Sequence, residues 1–367
     1  MGRRLASPTR RSSVDRSDPI RPEEQLMSAH PARILVLTQP GDPHADHVVD
    51  LLRRRGARVV VFDPADFPVH ASISVGYTAS GAVRRTLDHR GGRSDLSAVD
   101  TVWFRRPRNP RAHPEVTAPA VREYVEKECE AMTSALWDDL DCLAVPGTRA
   151  AIRLAARKTA QLTLAGRLGF ELPPTIVTTS PDEFLDFWDR HEGQVISKPL
   201  DRPFLIDGDD GYFRMCEPVT TTDLGHAEAM RLCPMIVQGY VPKQIEVRVT
   251  VVGQRVLGAA IHSQDSNHTR LDWRSYDPST TNYSRHELPA ALAALCRSLV
   301  AELELQYGTI DLILTPDGRY VFLEINPSGQ WLWIEDATGL PISDALCELL
   351  LDGAHRTRRP AVQEVPA

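Results

Sequence analysis

The stretch Gly308–Gly329 reads GTIDLILTPDGRYVFLEINPSG. Two apolar runs flank the turn sequence Pro316-Asp317-Gly318-Arg319, which predicts two adjacent antiparallel strands. Asp311 falls on the first strand. Glu324 and Asn326 fall on the second, two residues apart, so their side chains leave one face of the sheet. These three polar residues interrupt Ile, Leu, Val and Phe where a half-buried strand would place apolar side chains. A surface hairpin with incidental acids is the competing reading. Three hard oxygen donors converging from paired strands suit Mg²⁺, which takes few protein oxygens and fills its octahedron with phosphate and water.

The chain around this hairpin has 367 residues, 42% hydrophobic and 25% charged, enough for two or three domains with ample core. A net charge of -7 argues against a general nucleic-acid binder. No apolar run reaches membrane-spanning length. Six scattered cysteines show no paired metal spacing and read as reduced thiols of a cytoplasmic protein. The Arg- and Ser-rich N-terminus lacks the apolar core of a secretory signal. Only four of the 42 basic residues are lysines: Lys127, Lys158, Lys198 and Lys243. A compact ammonium enters a narrow phosphate site that a planar guanidinium does not, so each lysine is a candidate in an arginine-rich chain.

The pattern along the chain predicts an α/β protein in three parts. Residues 1–30 lack periodicity and are expected to be disordered; Met27, which runs directly into a strand, is an alternative start. A first α/β domain is expected over 31–147, opening β-α-β with Arg33–Thr38, His44–Arg55 and Arg58–Phe62, which implies a parallel sheet. A hairpin is expected at 70–88, a strand at 99–104, a helix at 114–140 and a short strand at Leu143–Val145. Residues 148–240 read as linker helices and a small α+β lobe, with strands at Thr175–Thr178, Gln194–Lys198, Tyr212–Cys216 and Met235–Gln238. Residues 241–353 read as a second lobe, with strands at 246–252 and 255–261, a polar loop at 263–286, a helix at 288–304, the hairpin and two closing helices. The tail from 354 is expected to be loose.

Several residues outside the hairpin point to the same chemistry. Lys158 opens a helix, and Lys198 ends a strand. From two elements of one lobe they would clamp a triphosphate opposite the metal; a solvated helix cation and a strand-end charge are the competing readings. In the connector after MIVQGYV, Gln238, Tyr240 and Val241 are candidates to bond an adenine, mostly through main-chain groups. Glu246 and Arg248 share a strand face, where a carboxylate can accept from ribose hydroxyls and a guanidinium can bind phosphate. A Glu–Arg pair on a solvated face competes. Asp272, Arg274 and Arg285 in the polar loop, and Arg105 and Arg106 at a strand end of the first domain, are candidates for an acyl phosphate or an acidic substrate. Ordinary surface charges compete there.

In order and spacing, Lys158, Lys198, the Gln238 connector, Glu246-Val247-Arg248, Asp311 and Glu324-Ile325-Asn326 resemble the ATP-grasp superfamily over roughly 31–350. The segments Trp103-Phe104-Arg105-Arg106-Pro107, Asp272-Trp273-Arg274 and Gln330-Trp331-Leu332-Trp333 make the chain most similar to the graspetide (microviridin-type) macrocyclases. The resemblance implies a pre-ATP-grasp domain, a lid lobe and a core lobe, with ATP and Mg²⁺ between the last two. It also implies catalytic roles for Arg248 and Arg274, and a homodimer. The implied reaction activates Asp or Glu side chains of a ribosomal precursor peptide as acyl phosphates and closes ω-ester or ω-amide rings. The precursor's leader segment would dock on the grasp domain, where Asp207, Asp209 and Asp210 are candidates to receive it. The lid departs from the superfamily pattern, since its glycine-rich loop is only Gly208-Asp209-Asp210-Gly211. Alternatives are a ligase adding amino acids to a peptide or protein tail, as ribosomal-protein glutamate ligases do, a small-molecule acid ligase, and a nucleotide-binding module without turnover.

Overall fold

The computed structural model describes residues 31–201, 204–207, 210–265 and 281–356. The chain opens with β1 (Arg33–Thr38), α1 (Pro43–Arg54) and β2 (Arg58–Phe62). Asp42 accepts from the Ala45 amide to cap α1, Pro43 opens it, and Gly56 follows it at φ 82°. An antiparallel meander follows: β3 (Ser72–Tyr77), β4 (Val83–His89) and β5 (Gly92–Asp95). Then come β6 (Thr101–Arg106), α2 (Pro119–Asp138) and β7 (Leu143–Val145). The strand order β2-β1-β6-β7 is parallel throughout, as the β-α-β opening implies. Alternation on β1 feeds two cores. Leu35 and Leu37 pack toward the meander and the end of α2, while Ile34 and Val36 pack toward α1 and the last helix of the chain.

Two helices, α3 (Arg149–Ala155) and α4 (Lys158–Leu168), lead to the small lobe, and Gly169 closes α4 in the left-handed region. The lobe contains β8 (Thr175–Thr178), α5 (Pro181–Arg190), β9 (Val195–Lys198), β10 (Phe204–Asp207), β11 (Asp210–Phe213), β12 (Glu217–Pro218), α6 (Thr221–Leu224) and β13 (Met235–Gly239). Its sheet runs β12-β9-β13-β8, all antiparallel. The strand expected at Tyr212–Cys216 is instead a hairpin arm ending at Phe213 and, further on, the two-residue β12. The run is too short and too broken by Arg214 to set its own boundaries.

The third part is one antiparallel sheet, β16-β15-β14-β17-β18. Its elements are β14 (Ile245–Val252), β15 (Arg255–Ile261), β16 (Tyr283–Arg285), α7 (Ala290–Glu302), β17 (Tyr307–Leu314), β18 (Tyr320–Asn326), α8 (Leu332–Thr338) and α9 (Ile342–Arg356). The quoted stretch is the expected hairpin, turned at Gly318 with φ 85°. One face carries Val247, Val249, Ile310, Leu312, Phe322 and Ile325, packed under α4 and α7. The helix α9 runs past the expected boundary at 353 and covers the first sheet, where the Thr101 hydroxyl donates to the Leu350 carbonyl at 2.8 Å. The tail expected at 1–30 lies outside the described residues, as does the part beyond 356 of the tail expected from 354.

Candidate active site

The second face of the five-stranded sheet is polar, and strand register builds it. Arg248, Asp311 and Glu324 are consecutive cross-strand partners on β14, β17 and β18. Arg248 is buried. Its Nη1 donates to both Asp311 oxygens at 3.0 and 3.1 Å, and its Nη2 donates to Thr309 Oγ1 at 3.1 Å and the Gln330 carbonyl at 3.3 Å. A bulge between Asp311 and Leu312 breaks the pairing, so Leu323 and Glu324 both line the cleft instead of alternating across the sheet. Asn326 pairs with Thr309 and shares the Glu324 face by spacing.

Among the described residues, no three of His, Cys, Asp or Glu gather into a metal-holding group. A cation here would therefore be held by two carboxylates and an amide. That donor set, all hard oxygen, fits Mg²⁺ completed by phosphate and water better than a soft transition metal.

Three of the four lysines line the same cleft. Lys158 starts α4 with Nζ 3.3 Å from Glu324 Oε2. Lys198 stands at the end of β9, opposite Ile236 of β13. Lys243, which the sequence marks only through the scarcity of lysine, lies 2.5 Å from Glu246 Oε1. Ser263 donates to the same oxygen at 3.2 Å. Lys127 is the exception, exposed on α2 beside Glu123. The cleft also collects Gln238, Tyr240, Val241 and Glu246, with Arg214, Cys216 and Ile313 as lining residues that sequence reasoning missed. The Gln238 side chain turns into the sheet and donates to Thr175 Oγ1 at 2.8 Å, and the Tyr240 amide donates to the Gln194 carbonyl.

Other candidates sit differently. Arg105, expected to reach a substrate, is 1% exposed. Its Nε donates to Asp42 at 3.3 Å, and its Nη1 donates to the Ser328 and Gly329 carbonyls at 2.8 and 3.3 Å. The guanidinium also lies 5.2 Å over the Trp331 ring. Strand alternation puts Arg105 on the Trp103 face, and that face is roofed by the segment after β18. Arg106, next along, is exposed. Arg285 donates to the Thr338 and Gly339 carbonyls, so it caps the end of α8 and does not face the cleft. Asp207 and Asp210 pair across the β10–β11 hairpin, with only their backbone described. Asp209, Asp272 and Arg274 lie outside the described residues.

Titration around Arg105 follows burial. Burial pulls the Arg105 guanidinium down, and Asp42 opposes it. Burial tends to raise the Asp42 carboxyl, but the Ala45 amide and Arg105 outweigh it and hold the group low. His44, whose ring meets Trp331 edge-on at 4.5 Å, is pushed down to about 4 by burial and by Arg105. Burial also drives the Tyr307 phenol upward; that hydroxyl donates to the Gly329 carbonyl at 2.9 Å.

A four-stranded lobe and a five-stranded sheet meeting at a cleft of lysines and carboxylates define the ATP-grasp class. Comparison with known proteins agrees and is more specific. Residues 33–151 match the family described as MvdD pre-ATP grasp domain. The macrocyclase MdnB from Microcystis aeruginosa MRC is 31% identical at a TM-score of 0.73, over 87% of this chain and 99% of that one. The macrocyclase MdnC from the same organism, solved bound with precursor peptide MdnA, is 28% identical at 0.77 over 88% and 99%. A RiPP-associated ATP-grasp ligase from Chryseobacterium gregarium, solved with ADP and a leader and core peptide, is 26% identical at 0.81 over 88% and 97%. A search of curated proteins gave no match. The chain belongs to the ATP-grasp macrocyclases, the graspetide maturases.

Proposed function

We propose that this chain is an ATP-dependent ligase that activates Asp or Glu side chains of a ribosomal precursor peptide and closes ω-ester or ω-amide macrocycles. The observation that carries the reading is one cleft lined by Lys158, Lys198, Asp311 and Glu324, in a chain 31% identical to a macrocyclase. In this reading residues 31–147 are the pre-ATP-grasp part, 148–240 the lid lobe and 241–353 the core lobe.

The chemistry balances as two displacements. A substrate carboxylate oxygen bonds to the γ-phosphorus of ATP as the bond to the β–γ bridging oxygen breaks, giving an acyl phosphate and ADP. A Thr or Ser hydroxyl, or a Lys amine, of the same peptide then attacks the acyl carbon, and phosphate leaves as the nucleophile loses its proton. Asp311, Glu324 and Asn326 would hold Mg²⁺, which when bound offsets charge on the phosphates. Lys158 and Lys198 would neutralise the triphosphate and let an anionic carboxylate approach. Arg248 would present positive charge beside Asp311. Glu246, which receives Lys243 and Ser263, would accept from ribose hydroxyls. Closure of the lid lobe would exclude water that would otherwise hydrolyse the activated acid.

The reading includes a leader docked on the grasp lobes, a homodimer and a cytoplasmic setting. Among the described residues no helix is long and apolar enough to cross a membrane. The test is incubation with ATP, Mg²⁺ and an acidic, Thr-rich precursor peptide encoded beside the gene. Loss of one water per bond supports ring closure. A mass increase would support amino-acid addition instead, and unchanged peptide with no phosphate released would reject ligase activity. Hydroxylamine cleaves esters but not amides and separates the two linkages.

A further inference from the structure

The strand that carries Glu324 and Asn326 lies at the edge of its sheet, with β17 on one side only. An edge strand presents backbone donors and acceptors that must find partners elsewhere. At Ile325, between the two candidate ligands, one side chain supplies both. Gln161 accepts from the Ile325 amide at 3.1 Å through Oε1 and donates to the Ile325 carbonyl at 2.9 Å through Nε2. The same Nε2 donates to the Ala155 carbonyl, at the end of α3, at 2.6 Å. The amide therefore behaves as one residue of a missing strand, anchored to the preceding helix. Gln161 is 3% exposed and lies three residues after Lys158, on the same side of α4. Lys158 reaches Glu324 directly. Ile325 itself is buried in the core with Ala155, Leu164 and Ala165, so α4 and β18 cannot slide past each other freely.

We infer that Gln161 is a positioning residue for Mg·ATP: it fixes the spacing between the Lys158 ammonium on α4 and the Glu324 and Asn326 oxygens on β18. The role rests on the ligase reading. It needs an amide specifically. A carboxylate keeps the acceptor for Ile325 N–H but turns an oxygen toward two carbonyls. A thioether of similar length makes none of the three bonds. Outer partners of metal ligands typically change metal affinity by about 10–100-fold when lost. Gln161 acts on the strand instead of a ligand atom, so the expected effect lies at the lower end, about tenfold.

The test compares Gln161→Glu and Gln161→Met with wild type. Calorimetry measures binding of ATP at a series of Mg²⁺ concentrations, thermal unfolding measures stability, and steady-state kinetics measures the KM for Mg·ATP. The expected result is an Mg²⁺ requirement raised about tenfold, a higher KM for Mg·ATP and unchanged affinity for the precursor peptide. If the charged variant fails to fold, the uncharged Gln161→Met carries the test. A variant that melts earlier but binds Mg·ATP with wild-type Mg²⁺ dependence would make Gln161 a packing residue only and overturn the inference. Wild-type protein that takes up no Mg·ATP would remove the ligase reading, and this role with it.

Discussion

Asp311 stands in two roles, and they separate two kinds of damage. It faces the cleft as a candidate metal ligand, and it also receives the buried Arg248. Asp311→Asn keeps an acceptor for the guanidinium but removes the charge. It is expected to fold and to lose turnover by at least about 100-fold, as Glu324→Ala should. Asp311→Ala strands a buried cation and is expected to cost a further 3–5 kcal/mol or so of stability, read from urea unfolding. Retained turnover in the asparagine variant would reassign the ligand.

His44 gives a second test at this scale. It is faced by Asp42 and by Arg105, Arg106 and Arg248, and it titrates near 4 against an ordinary value of 6.5. The unfolded chain therefore binds the extra proton first. Stability contributed by neutral His44 is complete above about pH 6.5 and is lost as pH falls toward 4, by roughly 3 kcal/mol. The Asp42 carboxyl, held low, adds loss in the same direction at still lower pH. His44→Leu should flatten the slope of unfolding free energy between these pH values; an unchanged slope would place the titrating group elsewhere.

At the scale of elements, the turn after β18 is framed by side chains from three strands. Its carbonyls at 328, 329 and 330 receive Arg105, Tyr307 and Arg248, each from a different strand. A Cβ on Gly329 would overlap the Thr309 side chain, another partner of Arg248. Gly329→Ala is expected to cost about 1–3 kcal/mol by overpacking. It should also lower turnover more than the stability loss accounts for, measured below the unfolding midpoint.

This turn also marks where the sequence stopped being readable. Apolar runs around a turn showed the hairpin, a short apolar run showed β1, and the spacing of Glu324 and Asn326 showed which face they share. Lysine scarcity pointed at Lys243 without giving its partner. Arg105 and Arg106 look alike at a strand end, and only the segment roofing β6 decides that one is enclosed. Gln161 reads as an ordinary polar helix residue, because its partners sit on a strand 164 residues later. The bulge at Leu323 left no signal, since the Phe322-Leu323-Glu324 run reads as ordinary strand.

At the scale of the molecule, α9 joins what the sequence divides. It packs on α1, β1 and β6 of the first sheet and on β14 of the last, and one core holds Val36, Trp103, Val252, Trp331 and Leu346 together. Chemical unfolding followed by the buried tryptophans should therefore show a single transition for the first and last sheets. Two separated transitions would contradict a shared core. A Cβ on Gly353 would overlap Thr101 Oγ1 and come within 2.6 Å of the Asp100 carbonyl. Gly353→Ala should thus lower the one midpoint without splitting it.

The bond between Thr101 and Leu350 spans 249 residues. At a synthesis rate of about 5–20 residues per second, β6 emerges from the ribosome on the order of 10–50 s before the helix that shields it. Through that interval Val36 and Trp103 lack the part of their core that α9 supplies. All strands of the first sheet are made by residue 145, so the sheet waits for most of translation to receive its last cover.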